Sequence, residues 1–280
     1  MILAREIFRY FKANGFSEPA MRHFDAGLLA QVAKRGDLNW PRRVRHWAKG
    51  KRVLDIGCGR NYQGYGFLAV GAKAYTGLDP TLDLDDDRVK DSRSHWGKFE
   101  KGGLSPRMLM ARFPELQFAT CSVEDFQPKE RFDLIVMHNV TEHLMQIDQV
   151  FANFPAFLNP GGRIVFRHPN YYCWHGHHMK PRTIYEIQPN DPQQQLVLDW
   201  AHVDFDPVKH AWIGRTQNRI RLAALRQLVE KYFVIETWEE QESQKKDGIG
   251  RLTDEIVARH PGFTRRELAT RAVFVVGKVR

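Results

Sequence analysis

Cysteine is scarce in this sequence and nowhere paired by spacing. The three that occur, Cys58, Cys121 and Cys173, are far apart and include no C-x-x-C. That argues against a disulfide-stapled scaffold or a cysteine-ligated zinc site and leaves three reduced thiols. Long apolar runs are also missing: no window stays apolar over the ~18 residues that a membrane-spanning helix needs. The opening stretch, Met1 to Tyr10, mixes apolar side chains with Arg5, Glu6 and Arg9, and so lacks the apolar core of a secretory signal. No internal repeat is visible. The expectation is a cytoplasmic protein whose 280 residues, 42% of them hydrophobic, suffice for one large α/β core or two small ones.

What the chain has in excess is positive charge, +9 in all, and it is unevenly placed. Residues 1 to 52 hold twelve Lys and Arg against four acids, Glu6, Glu18, Asp25 and Asp37, while the remainder is nearly neutral. Such a region serves either as a solvated helical face or as a surface for an anionic substrate, nucleic acid or an acidic membrane. Apolar spacing predicts helices over 2–13 and 19–35, with Gly15 and Gly36 as stops, and a third over 40–48.

Two apolar runs follow, each ending in acidic chemistry. Lys51-Arg-Val-Leu-Asp-Ile-Gly-Cys-Gly59 ends in Asp-x-Gly-x-Gly, and Tyr75-Thr-Gly-Leu-Asp79 ends in a carboxylate about twenty residues on. This is the pattern of two parallel strands, 52–56 and 74–78, joined by a helix over about 61–70, whose carboxyl ends bind a nucleoside cofactor. A nicotinamide cofactor is disfavoured, because the third glycine of Gly-x-Gly-x-x-Gly is replaced by Tyr62. The long interval 80–115, rich in Asp83, Asp85, Asp86 and Asp87, offers one good helix over 106–113. Strands are expected at 116–120, 132–137 and 163–167, with a helix over 141–157 that ends before Asn159-Pro-Gly-Gly162. Residues 168–213 break the alternation and read as an inserted loop with short helices. A helix at 217–231, a strand at 233–238, a helix near 252–259 and a strand at 272–279 complete the chain.

The pair of runs resembles motifs I and II of the class I S-adenosylmethionine (SAM)-dependent methyltransferases, over roughly residues 40 to 170. Phe132-Asp-Leu-Ile-Val136, the Asn-Pro-Gly-Gly turn and the terminal strand pair fall in the same family order. The resemblance implies an α/β fold: a doubly wound, mostly parallel seven-stranded Rossmann-like sheet with an antiparallel last strand. Residues 1–48 would be a helical cover, and 49–280 the SAM-dependent domain with a substrate-side insertion at about 168–213. It also implies a methyl transfer that turns SAM into S-adenosyl-L-homocysteine.

Carried over residue by residue, the resemblance implies that Gly57, Cys58 and Gly59 pass close to the methionine part, with Asp55 holding its ammonium group. Asp79, followed by Pro80, would accept from the ribose hydroxyls. Ser122, Val123 and Glu124 would flank the adenine, although Ser122 stands where the family commonly has an acid. His138 would pass beneath the cofactor, and Glu142-His143-Leu144 matches a common family helix start.

Methyl transfer needs alignment first and a base only where the acceptor must lose a proton. His143, His168, His175 and His178 are the candidates for that base, with His177 beside them and Tyr171, Tyr172 and Trp174 as aromatic walls for an acceptor. The same histidines also admit a structural reading and, less favoured, a divalent-metal one, and no metal ligand is assigned. The Asn/Asp-Pro-Pro-Tyr/Phe signature of amino-methylating nucleic-acid enzymes is absent after the fourth strand, which reads Met137-His-Asn-Val140. The favoured partner is therefore a small-molecule or glycosidic acceptor methylated on O or N. The rivals are an RNA- or DNA-directed methyltransferase using the basic N-terminal surface, and a SAM-binding protein without catalysis. Oligomeric state is not legible.

Overall fold

The computed structural model describes residues 1–59, 62–90, 99–100, 103–206, 208–209 and 215–280. Its strands are β1 Arg52–Ile56, β2 Ala74–Leu78, β3 Val89–Lys90, β4 Phe99–Glu100, β5 Leu116–Ala119, β6 Phe132–His138, β7 Leu158–Pro169, β8 Phe233–Glu242 and β9 Thr270–Val279. Seven of them form one sheet in the order β5-β2-β1-β6-β7-β9-β8, and β3 pairs with β4 apart from it. β1 runs parallel to β2 and β6, and β2 parallel to β5, whereas β8 and β9 are antiparallel. The expected doubly wound, mostly parallel sheet with an antiparallel last strand is present. Because the chain moves outward from β1 through β2 to β5 and returns to the other side of β1 as β6, strand order reverses between β1 and β6. Ligands of open α/β sheets bind at the carboxyl ends of strands at such a point.

The chain divides into two compact units, Met1–His138 with Phe154–Val165, and Asn139–Asn153 with Phe166–Arg280. In the first, the helices α1 Ile2–Asn14, α2 Glu18–Arg22, α3 Ala26–Arg35, α4 Asn39–Arg43 and α5 Arg45–Ala48 precede β1. The expected helix over 19–35 is divided because Asp25 is extended and caps α3, accepting from the Leu28 amide at 2.8 Å. The expected helix over 40–48 is likewise divided, at Val44. Helices α6 Gln63–Ala69 and α7 Pro106–Arg112 match their expected positions. Val53, Leu54 and Ile56 are all buried, as befits a parallel strand covered on both faces.

The segment expected as a helix over 141–157 begins instead as a short 3-10 turn, Thr141–His143, before α8 Ile147–Phe157. β7 takes in Asn159 to Gly162, read from sequence as a turn, with Gly161 at φ 75. In the second unit the described part of the insertion forms short turns at Ile184–Glu186, Pro192–Gln195 and Leu198–Asp204. Positions 207 and 210–214 of the insertion, 91–98 and 101–102 of the acidic interval, and 60–61 of the turn before α6 lie outside the described residues. The insertion is no mere excursion: Trp174 and Trp200 are fully buried and pack with Val203, Leu252, Ile256 and Leu268. Gly248 makes room for Trp174, since a Cβ there would stand 2.3 Å from the indole.

Candidate active site

In the first unit the turn after β1 is tied to the end of β2. The amides of Gly57 and Cys58 donate to the Leu78 carbonyl at 2.7 and 3.0 Å, and the amide of Gly59 donates to Asp79 Oδ2 at 3.0 Å. Both glycines are left-handed, Gly57 at φ 68 and Gly59 at φ 61, a conformation that a side chain disfavours. An ideal Cβ built on Gly59 would meet nothing within 4 Å, so the turn faces open space. Asp79 Oδ1 accepts from the amide and hydroxyl of Thr81 at 2.8 and 2.7 Å. Asp79 therefore braces the very turn that the sequence associates with it.

Asp55 lies buried at the carboxyl end of β1 and accepts a hydrogen bond from the Tyr75 hydroxyl at 2.8 Å. Burial pushes its carboxyl up to about 7, the Tyr75 bond opposing the shift and the charge of Asp79 adding to it. Cys58 is buried, its Sγ beside Gly77, where a Cβ would approach it to 2.8 Å. Burial raises its thiol, so Cys58 offers the turn its backbone and no nucleophile. Tyr62, which takes the place of the third glycine, is itself buried and accepts from the Leu104 amide at 2.6 Å.

Pro80 is exposed beyond Asp79. Ser122 donates to Asp125 Oδ2 at 2.8 Å and accepts from the Asp125 amide at 3.3 Å, which closes a turn around buried Val123 and leaves Glu124 exposed. The ring of His138 stacks on Trp40, centroids 4.5 Å apart and planes 10° from parallel. A cleft of about 700 Å³ lined by Arg22, Lys49, Arg52 and Lys73 opens at the amino ends of β1 and β2. That is the opposite end of the strands from the nucleoside-binding position, so the geometry of the turn locates the site and the size of the cleft does not.

In the second unit the structure gathers His143, His168 and His178 around the segment after β6. His143 Nδ1 lies 2.6 Å from the Thr216 carbonyl. A carbonyl can only accept, so Nδ1 carries a proton, and in the neutral ring Nε2 is then the nitrogen with the lone pair. Nε2 stands 3.7 Å from Glu142 Oε1, and the His143 side chain is 45% exposed. Glu142 was missed by sequence reasoning except as part of a helix signature. Both its carboxyl oxygens are buried without a hydrogen-bond partner, and burial pushes it up to about 8. Asn218, unmarked by any motif or spacing, clasps this segment: its Nδ2 donates to the carbonyls of Thr141 at 2.7 Å and Leu144 at 2.8 Å, and its backbone N–H donates to the Glu142 carbonyl at 2.8 Å.

The remaining histidines are more enclosed. His168 is buried with Nδ1 2.8 Å from the Thr141 hydroxyl, and burial lowers it to about 3. His178 has its ring centroid 5.4 Å from that of His143, and burial lowers it to about 4. His175 Nδ1 faces the thiol of buried Cys173 at 3.4 Å. His177 is buried, accepting from the Met179 amide at 3.0 Å, and packs edge-on to His202. The expected aromatic walls are placed differently: Trp174 is core, Tyr171 is buried with its hydroxyl donating to the His202 carbonyl, and Tyr172 donates to the Arg219 carbonyl. The reason is that the insertion has a hydrophobic centre of its own to fill. Among the described residues no three His, Cys, Asp or Glu side chains are grouped as a metal ion requires.

A family model described as a methyltransferase domain matches residues 23–232. A ubiquinone biosynthesis O-methyltransferase from a Bradyrhizobium species is 29% identical over 116 residues, 41% of this chain and 39% of that protein. A tRNA U34 carboxymethyltransferase from Methylococcus capsulatus is 43% identical over 142 residues, 50% of this chain and 39% of that protein. The matched stretch thus spans about two fifths of the length of these relatives. A solved S-adenosylmethionine dependent methyltransferase from Mesorhizobium loti superposes with a TM-score of 0.48 at 17% identity, covering 86% of this chain and 97% of that one.

Proposed function

This chain belongs to the methyltransferase-domain family, and from that premise we propose that it is a SAM-dependent methyltransferase acting on an O or N atom of a small-molecule or glycosidic acceptor. The observation that carries the cofactor assignment is the bond from the Gly59 amide to Asp79, which joins the glycine turn and the acidic strand end into one cradle. The residues fit SAM: Gly59 faces open space where a side chain would stand, and buried Asp55 is poised for a cation. Bound SAM supplies a methyl group on a sulfonium, which leaves by in-line displacement. Asp79 would hold the ribose hydroxyls, a role its charge favours, and Asp55 would face the ammonium as a carboxylate, its proton passing to solvent. Val123 and Glu124 would flank the adenine, and His138, stacked on Trp40, would lie beneath the cofactor.

For an acceptor that must lose a proton, His143 is the leading base, ahead of His168, His175 and His178. Its Nδ1 is fixed by the Thr216 carbonyl, its Nε2 has the lone pair, and its side chain is partly open to solvent. Glu142 stands beside it, Oε1 3.7 Å from Nε2, as a carboxyl that burial keeps protonated near neutral pH. The oxygen-directed name of the Bradyrhizobium relative supports an O acceptor. A second reading, an RNA acceptor, draws on the tRNA-directed name of the Methylococcus relative and on the basic N-terminal region. An acceptor screen with methyl-labelled SAM tests the proposal. Label on a small hydroxyl or amine supports it, and label on RNA, with salt-sensitive retention, favours the second reading. Binding of SAM with no transfer to any acceptor leaves a SAM-binding protein without catalysis.

A further inference from the structure

Helix α1 is amphipathic in an unusual sense: it has one face to bury and another that it exposes. Glu6 and Tyr10 are buried on its inner side. The Tyr10 hydroxyl donates to the Ala20 carbonyl, Glu6 pairs with Arg9 and Arg42, and Asn14 donates to the Ala69 carbonyl at 3.0 Å. These contacts fix which way the helix faces. Ala4, Ile7, Phe8 and Phe11 follow the i, i+3, i+4, i+7 spacing of a second stripe, and Phe16 stacks on Phe11 with centroids 4.1 Å apart. The outer part of that stripe is bare, Phe8 being 67% and Phe16 79% exposed, while Ile7 and Phe11 are half-buried, Phe11 also packing on Phe24 with centroids 4.9 Å apart. Arg5, Arg9 and Lys12, spaced i, i+4 and i+7, run alongside it and are exposed as well.

We propose that α1 is an interfacial helix that seats the protein on an anionic lipid surface, with Ile7, Phe8, Phe11 and Phe16 entering the headgroup boundary and Arg5 and Lys12 meeting the lipid phosphates. An apolar stripe bordered by basic side chains is the chemistry of such helices, which lie in the interface plane and are held by both terms together. No helix among the described residues is long and apolar enough to cross a membrane, so the attachment is peripheral. A second copy of the chain is the poorer occupant. Two such stripes brought face to face would set Arg5, Arg9 and Lys12 against their own counterparts, and a handful of side chains falls well short of the ~20–30 residues a side of a standard interface. Nucleic acid would engage the cations but leave Ile7 and Ala4 in water.

The test is flotation of the full chain with vesicles of phosphatidylcholine alone or of equal parts phosphatidylcholine and phosphatidylglycerol. The expected result is capture by the anionic vesicles and little by the neutral ones. Phe8→Asp and Phe16→Asp should each cut the bound fraction at least about tenfold, and the pair Arg5→Glu with Lys12→Glu should do so while removing the salt dependence. Sedimentation without lipid should give one unchanged mass for the wild type and Phe8→Asp. Absence of vesicle binding, equal binding by Phe8→Asp, or a mass that halves in that variant would each overturn the proposal, the last identifying a second copy. Thermal melts serve as the folding control. Loss of fold on replacing exposed Phe8 would also count against it, by showing that the stripe is core.

Discussion

A carboxylate offers about four acceptor positions, and at Asp79 three are filled, by the Gly59 amide and by the amide and hydroxyl of Thr81. A pair of ribose hydroxyls needs two, so one bond must yield. The exposed Thr81 hydroxyl is the one that can rotate away. Asp79→Ala is therefore expected to weaken SAM binding by at least ~1.5 kcal/mol, while Thr81→Val leaves it nearly unchanged; calorimetry reads both, and equal affinity for Asp79→Ala would remove the ribose assignment. Asp55, pushed up to about 7, ionises when it meets the ammonium. Affinity should then climb between about pH 6 and 8, and Asp55→Asn should flatten that slope. At His143 the expected outcome of substitution by Ala is a fall in turnover of ~10²-fold or more with SAM affinity intact. Normal turnover would move the base to another histidine or remove the need for one.

The elements divide into those legible in sequence and those set by distant partners. β1 was legible because a strand buried on both faces is a nearly continuous apolar run, and Gly57, Gly59 and Asp79 because a left-handed turn beside an acidic strand end is written in residue type. The segment 141–144 was not. Leu144, Ile147, Val150 and Phe151 share a helical spacing, yet the carbonyls of Thr141 and Leu144 are taken by Asn218, 77 and 74 residues away. A local pattern cannot show so remote a competitor. Asn218→Ala should accordingly cost ~1–3 kcal/mol through the buried carbonyls it strands, read as a lower denaturation midpoint, and should lower turnover by freeing His143. Trp174 was misread for a similar reason: an aromatic-rich insertion looks like a binding loop until Leu252, Ile256 and Leu268, far along the chain, supply it with a core. The backbone at Gly176 belongs to the same packing, since a Cβ there would stand 2.0 Å from the Tyr171 carbonyl oxygen.

At the scale of the whole molecule, buried titratable groups set a narrow pH range for stability. His168, His178 and His202 are lowered from 6.5 to about 3, 4 and 4, so the folded state resists protons that the unfolded chain takes up below about pH 6.5. Their contribution is lost as pH falls through that window. Asp55 and Glu142 are raised from 3.8 and 4.5 to about 7 and 8, so the folded state keeps protons that the unfolded chain has released, and stability is lost as pH rises toward 8. With the imidazoles in the majority below 6.5 and the carboxyls alone above it, the denaturation midpoint should peak near pH 6.5; a peak above pH 8 would mean that Asp55 and Glu142 are charged in the folded protein.

The SAM site proposed at the ends of β1 and β2 rests on membership of the methyltransferase family, the strand order and the Gly59–Asp79 bond. Titration of SAM into the wild-type chain and into Gly59→Val tests it most directly, the melt of the ligand-free variant serving as the folding check. Saturable one-site binding that the folded variant loses by at least about tenfold is the expected result, because a Cβ at a left-handed position would fill the space the cofactor needs. No binding to the wild type, or equal binding to both, would contradict the assignment.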